Sequence, residues 1–545
     1  MREMTGGDAV YETLRALGVD HVFGIVSVHN IPIYDAILRG GGITPISVRH
    51  EQGAIHAADG YARASGKLGV AITSTGPGVT NSMTGLFEAG FASSPVLMVT
   101  GQIDSTFYGK GKGFLHEAES QLPMLRTVTR RAESIRHTEE IPETLVRLAR
   151  DAQVGRPQPV AVEIPVDFQY ARTDADIPSL EGFPRRKPPH DALEKAAALL
   201  RDAKRPLIWA GGGVITANAS ATLVRLAEML DAPVFTSVTG RGVIPEDHPL
   251  AMGPLPQLPQ FTDVIESADV VLAVGTRFQA GATRNWTVNI PGKIVHIDAD
   301  PAVIGRNYPA AVGVVGDAGL ALTSLVQALS GHPGAEPEFT ASAQTIRDGV
   351  RSSIRQQIGP DYAEIMDAIR DLLPADGPIV RDATVPAYLW GNRLIPILEP
   401  RTSIHSTSAA IGPGLPLAIG AAIGSGKKTA LIQGDGGFML NIGELATAVQ
   451  HHVPVIVCLF NDRGYGVLRS IEASTFEGRQ FGVELATPDF AMVAKGMGMH
   501  GETVRSAAEF REAFARAVEH DGPVLLDIDM TKLVPMGGLG GGGRR

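Results

Sequence analysis

The residues with the clearest chemical content lie between 429 and 466, in the run TALIQGDGGFMLNIGELATAVQHHVPVIVCLFNDRGYG. Apolar Ala430, Leu431 and Ile432 lead into Gly434, Asp435, Gly436 and Gly437, and a second apolar run from Val455 to Phe460 ends at Asn461 and Asp462. An amphipathic segment lies between them, so the pattern predicts a strand, a helix and a second strand. Strands joined by a helix lie parallel, which brings the ends carrying Asp435 and Asp462 to one edge of the sheet, where both carboxylates can face one ion. Glycines let backbone N–H groups approach an anion, and a helix expected to begin near Asn441 adds its positive end. Two hard oxygen ligands beside a phosphate cradle suit Mg²⁺, which takes few protein ligands and shares phosphate oxygens.

A second informative run is RHEQGAIHAADGYARASGKLGVAITSTGPGVTN, residues 49–81. Glu51 follows a predicted strand and opens an alanine-rich helix, so its carboxylate belongs at the sheet edge that binds ligands in such folds. It serves there either as a functional acid or as a helix-N-terminal acid that complements the dipole.

The elements that must position these groups are legible along the chain. Strand signals at 21–25, 46–48, 70–72, 96–99 and 160–164 alternate with helical periodicity, which implies a parallel sheet covered by helices. Prolines and charges at about 171–190 mark a linker. A second α/β unit has strands at 206–210, 234–236, 270–274 and 294–297. Polar residues 331–357, helical or loop-like, lead to a last unit whose closing strand is 523–529. The expected class is therefore α/β, with three doubly wound parallel-sheet domains at 1–175, 188–332 and 358–535 and a flexible Gly-rich tail at 536–545.

Composition narrows the function. The chain has 545 residues, enough for roughly three domains of about 150 to 200 residues. A net charge of −10 with no Lys/Arg block argues against nucleic acid as partner. No apolar run approaches the roughly 20 residues that cross a bilayer, and the N-terminus lacks a basic region with an apolar core. Cys458 is the only cysteine and reads as a packing residue, which fits a reducing, cytoplasmic setting.

The 429–466 segment, in which 25 residues separate Gly436 from Asp462, resembles the thiamin diphosphate motif of thiamin-dependent enzymes. The resemblance implies that Asp435, Asp462 and the carbonyl of Gly464 hold Mg²⁺, and that Gly434, Gly436, Gly437 and Tyr465 belong to the diphosphate site. Asp462 departs from the Asn usual there and adds a negative charge. The 49–81 segment resembles the activating-glutamate segment of the same family. Glu51 would then hold the aminopyrimidine N1′ proton and activate the cofactor. Thr75, Gly76, Pro77 and Gly78 would form a loop beside the cofactor, with Asn81 lining the site.

The resemblance spans nearly the whole chain and is strongest to the acetolactate-synthase-like branch, through FGIVSVHNIPIYDAI, VLMVTGQ and GPGLPLAIGAAIG. It places Ile411 beneath the cofactor, with the alternative that Ile411 is core. It also implies sites formed between subunits, hence a homodimer at least and a homotetramer as the fuller assembly. Arg469 is followed by Ser470 and Ile471, so the acceptor-selecting Trp of acetolactate synthases is missing. Val28 stands where decarboxylases place a proton carrier, and their adjacent His-His pair is not evident. His29 resembles the single loop histidine of benzaldehyde-lyase-like enzymes; it is either a proton carrier of ordinary pKa or a solvated loop residue. In the central domain, glycine turns at 211–213 and 275–278 can hold FAD or ADP, as in relatives, although RFQAGATRN lacks the paired aspartates of flavin-containing synthases. The expected activity is C–C bond formation or cleavage next to a carbonyl, using a 2-oxo acid, aldehyde or acyloin, by 2-oxo acid decarboxylation with carboligation. The alternatives are an acyloin or 2-hydroxyacyl-CoA lyase and an FAD-dependent oxidase of the pyruvate oxidase type. A non-catalytic scaffold would have no reason to keep Glu51, Asp435 and Asp462 all acidic.

Overall fold

The computed structural model describes residues 4–179, 182–331 and 334–537. The expected glycine-rich tail falls outside the described residues from 538 onward. Three six-stranded sheets carry the chain, and all their pairings are parallel.

In the first sheet the strands run in the order Thr44–Ser47, His21–Gly24, Gly69–Thr73, Val96–Gln102, Val160–Pro165, Arg131–Ser134. Alternate residues enter two cores: Leu97 and Val99 pack on one face, Val96 and Met98 on the other. That two-sided burial is why these strands read as continuous apolar runs. The second sheet has the order Ala251–Gly253, Val234–Thr236, Pro206–Ala210, Val270–Val274, Lys293–Asp298, Val312–Val315. The third runs Ser403–His405, Ile379–Arg381, Thr429–Gly434, Val455–Asn461, Val524–Asp529, His500–Val504. Cys458 is buried in its strand, as expected.

In each sheet the chain leaves to one side and returns to the other, so each has a point where strand order reverses. These points lie between His21–Gly24 and Gly69–Thr73, between Pro206–Ala210 and Val270–Val274, and between Ile379–Arg381 and Thr429–Gly434. The loops that leave these strand ends carry His29, Gly76, Gly211, Gly275 and Asp435.

Several strands escaped the periodicity reading: the inner strand Ile379–Arg381 and the edge strands Arg131–Ser134, Ala251–Gly253, Val312–Val315, Ser403–His405 and His500–Val504. They are short or half-solvated, so their sequences lack a long apolar run. Residues 337–372 are helical, interrupted at Gly359, whose φ of 77° and ψ of 173° lie outside the helical range, with Pro360 next. Phe339, Ile354 and Ile369 of this segment share one core with Trp209 of the second sheet's domain and Phe460 of the third.

A buried ion cluster ties the first domain to the third. Arg63 pairs with Asp59 and, at 3.0 Å, with Glu88, whose carboxylate also accepts the backbone N–H groups of Thr407 (2.6 Å) and Ser408 (2.9 Å). Burial alone would raise the Glu88 carboxyl, but the Arg63 charge and the Ser408 and Thr407 hydrogen bonds outweigh it and hold it down at about 2. A depressed carboxylate contributes stability above its unfolded pKa, and that stability is lost as pH falls from about 4.5 toward 2. Glu88→Gln is therefore expected to lower stability by about 3 kcal/mol at pH 7, with the gap to wild type closing at acid pH. Urea unfolding at pH 7 and pH 3 reads this; a gap independent of pH would contradict it.

Candidate active site

Asp435 ends the strand Thr429–Gly434 and opens a turn of helix at Asp435–Phe438. The helical backbone thus begins six residues before the expected Asn441, because Gly436 and Gly437 already adopt it. Asp435 is 1% exposed; its Oδ2 accepts the N–H of Gly464 at 2.9 Å, while Oδ1 is buried with no hydrogen-bond partner. Asp462, brought alongside by the parallel strand Val455–Asn461, is within hydrogen-bond reach of it. Burial pushes the Asp435 carboxyl upward, and the Asp462 charge adds to the effect. Two facing carboxylates with an orphaned buried oxygen form a donor set that fits a hard divalent cation.

The glycines around them are explained by contact. A Cβ on Gly436 would lie 2.7 Å from the Tyr465 ring, and one on Gly434 would lie 2.9 Å from Thr384 Oγ1. Gly464 is buried, and a Cβ there would collide with the carbonyl of Val483. Arg469 answers the extra charge of Asp462: its Nη1 lies 3.2 Å from Asp462 Oδ2, and its Nε donates to Glu484 at 2.7 Å. Arg469 is thus engaged by two acids of its own chain.

Ile411 is 40% exposed, so the alternative reading of it as core is overturned. Its loop is clamped by Asp382, which accepts the N–H groups of Gly412 (2.9 Å) and Gly414 (2.8 Å) and the Gln433 amide (2.7 Å). A Cβ on Gly437 would meet Gly412 N at 3.4 Å, so the acidic turn and the Ile411 loop pack together.

The second group of residues lies at the switch point of the first sheet. Glu51 opens the helix Glu51–Ser65, and its Oε2 accepts the Asn81 side-chain amide at 2.9 Å. Gly78 lies beside Glu51, with a virtual Cβ 3.4 Å from Oε1. Pro77 and Gly78, expected in a loop, instead form the first turn of the helix Pro77–Ala92; Pro at the first helical position forfeits no hydrogen bond. Gly76 precedes that helix at φ 60°, and a Cβ there would lie 2.5 Å from the carbonyl of His116. Gln121, fully buried, accepts from Thr75 Oγ1 (2.7 Å) and Gly76 N (2.8 Å) and donates to Glu163 (2.9 Å), which fixes this turn.

His29 is 2% exposed, which overturns its reading as a solvated loop residue. Asn30 folds its loop by accepting from Ser27 N (2.7 Å) and donating to the Ile25 carbonyl (3.1 Å). The His29 ring lies 5.1 Å from that of His116, and Ser74 Oγ stands 3.4 Å from Nδ1 of both. A histidine pair not evident in the sequence is thus assembled from two loops. Burial, and then the neighbouring His116, lower the His29 pKa below its ordinary value, so the ordinary pKa expected for it is also corrected. His116 carried no local signal; only its place in the glycine-rich FYGKGKGFLHE loop set it apart.

The two groups share no hydrogen bond among the described residues. In the central domain the expected glycine turns pack on each other, with a Cβ of Gly213 falling 2.6 Å from Gly275 Cα. They border a cleft of about 370 Å³ between the domains, lined also by Arg156, Arg277, Arg401 and Asp298.

Family models match all three domains: "Thiamine pyrophosphate enzyme, N-terminal TPP binding domain" over residues 4–124, its central domain over 193–325, and its C-terminal TPP binding domain over 386–528. A probable acetolactate synthase large subunit of Methanocaldococcus jannaschii is 35% identical, with 99% of this chain and 94% of that protein covered. A probable 2-ketoarginine decarboxylase of Pseudomonas aeruginosa is 36% identical over 97% and 94%. The acetolactate synthase large subunit of Corynebacterium glutamicum is 32% identical over 96% and 86%. The chain therefore belongs to the thiamine pyrophosphate enzyme family, as a thiamin diphosphate-dependent enzyme of the acetolactate-synthase type.

Proposed function

We propose that the enzyme decarboxylates a 2-oxo acid and ligates the retained carbonyl fragment to a second carbonyl, with thiamin diphosphate held through Mg²⁺. The observation that carries this reading is the facing Asp435 and Asp462 carboxylates with the unpartnered Asp435 Oδ1. Asp435, Asp462 and the Gly464 carbonyl would hold the metal, while Gly434, Gly436, Gly437 and Tyr465 shape the diphosphate cradle. Thiamin diphosphate supplies a carbon nucleophile and an electron sink for the bond broken beside the carbonyl. Glu51, oriented by Asn81, would hold the proton on the cofactor's aminopyrimidine, with Gly76 and Gly78 among the residues beside it. Ile411, exposed on its loop, would supply an apolar contact to the cofactor. The resemblance to enzymes whose sites form between subunits supports a complete site made by two copies, in a homodimer or a homotetramer. The single cysteine, buried in its strand, supports a cytoplasmic location. Among the described residues no helix is long and apolar enough to cross a membrane.

Turnover of pyruvate, 2-ketoarginine, benzoylformate, oxalyl-CoA and simple acyloins in Mg²⁺ and thiamin diphosphate tests the reaction. Carboligation from a 2-oxo acid supports it, and turnover of acyloins or 2-hydroxyacyl-CoA alone replaces it with the lyase reading. That second reading is favoured by Ser470 and Ile471 after Arg469, where acetolactate synthases carry an acceptor-selecting Trp. The cleft between the domains, with Arg156, Arg277 and Arg401 on its walls, suits the diphosphate of FAD or ADP. A flavin spectrum in the purified protein distinguishes the two.

His29, buried and with a lowered pKa, is neutral at pH 7 and suited to accept a proton, with Ser74 and His116 as its neighbours. His29→Ala is expected to leave C2 proton exchange of the bound cofactor near wild type and to slow turnover by on the order of 10²-fold. Equal losses in both rates, or none, would make His29 structural.

A further inference from the structure

The segment that leads into Glu51 is stitched to one face of the helix Glu444–Gln450 in the third domain of the same chain. Glu444 accepts the backbone N–H of Arg49 (3.1 and 3.3 Å to its two oxygens) and of His50 (3.1 Å). Thr447 Oγ1 lies 3.4 Å from the Ser47 carbonyl, Gln450 accepts from Arg49 Nη2 at 2.6 Å, and His451 Nε2 accepts from Ser47 N at 3.0 Å. Positions 444, 447 and 451 fall on one side of a helix, so one face reads the backbone of residues 47–50. Glu444 is 1% exposed and further held by the Thr447 hydroxyl at 2.6 Å. Gly53, one turn into the Glu51 helix, is bare where Glu444 passes: a Cβ there would collide with Glu444 Oε1.

We propose that Glu444 is a positioning residue for Glu51: by taking the N–H groups of the two residues before it, the Glu444 carboxylate fixes where the helix starts and so where the Glu51 carboxylate stands. The inference rests on the reading of Glu51 as the cofactor's proton partner. Asn81 restrains the Glu51 side chain directly, whereas Glu444 restrains the backbone that carries it. Glu444 follows Asp435 by nine residues on the diphosphate side, so a shift of that helix is passed to Glu51 through these bonds. A displacement of about 1 Å at a catalytic group costs on the order of 10²-fold in rate.

The test uses the full-length protein and the variants Glu444→Ala, Glu444→Gln, Glu444→Asp and Glu51→Gln. Hydrogen exchange of the 47–53 amides is measured without cofactor, and C2 proton exchange and affinity are measured with thiamin diphosphate and Mg²⁺. Glu444→Ala should lose protection at residues 49 and 50 and slow C2 exchange by on the order of 10²-fold, with cofactor affinity changed only a few-fold. Gln keeps one acceptor and Asp is one methylene short, so both should fall between Ala and wild type, in the order of their amide protection. If the Ala variant does not fold, the Gln and Asp variants carry the test. Lost protection with wild-type C2 exchange in any folded variant, or protection unchanged in all of them, overturns the proposal. Wild-type C2 exchange in Glu51→Gln would instead remove the reading of Glu51 itself.

Discussion

Asp435→Ala is expected to lose metal-dependent retention of thiamin diphosphate while keeping its fold. The carboxylate is buried, one oxygen is spent on the Gly464 N–H, and the other has no partner, so the side chain's unsatisfied capacity points to a cation. Loss of an outer-shell partner of a metal ligand costs roughly 10- to 100-fold in affinity, and loss of the ligand itself should exceed that. The fold should survive, because removing one of two facing buried carboxylates relieves repulsion as well as breaking one hydrogen bond. Calorimetry in Mg²⁺ that gave wild-type affinity would take Asp435 out of the metal set. Asp462→Asn is the milder change: it removes the charge that Arg469 balances, so binding should persist while the preference among divalent ions shifts.

Glu51→Gln should bind cofactor and lose most of its turnover, by on the order of 10² to 10⁴-fold. Glutamine keeps the length of the side chain and an oxygen for the Asn81 amide, but it cannot stabilise a proton on the aminopyrimidine. The losses in C2 exchange and in turnover should therefore run together, in contrast to His29→Ala, where only turnover falls. Full activity in Glu51→Gln would leave the carboxylate as no more than the first acid of its helix.

Local sequence determined a good deal of this protein. An apolar run, a glycine turn and a helix are contiguous, so the strand ends that carry Glu51, Asp435 and Asp462 could be read from a few residues each. Parallel α/β topology then forces those ends to one edge of each sheet, and the family resemblance supplied the cofactor. The tertiary structure decided what depends on contacts distant in sequence. Strand order sets the reversal points at which these loops open, and short strands, such as Arg131–Ser134 at an edge and Ile379–Arg381 inside its sheet, exist only because neighbours offer their hydrogen bonds. His29 became a buried partner of His116, and Ile411 stayed exposed on a loop that Asp382 clamps, because packing and not periodicity fixes burial. Arg469 was taken by Asp462 and Glu484 through side chains that meet only when the loop folds back. The hold of Glu444 on the residues before Glu51 joins positions 395 and 394 residues apart, and no local pattern encodes a hydrogen bond between domains.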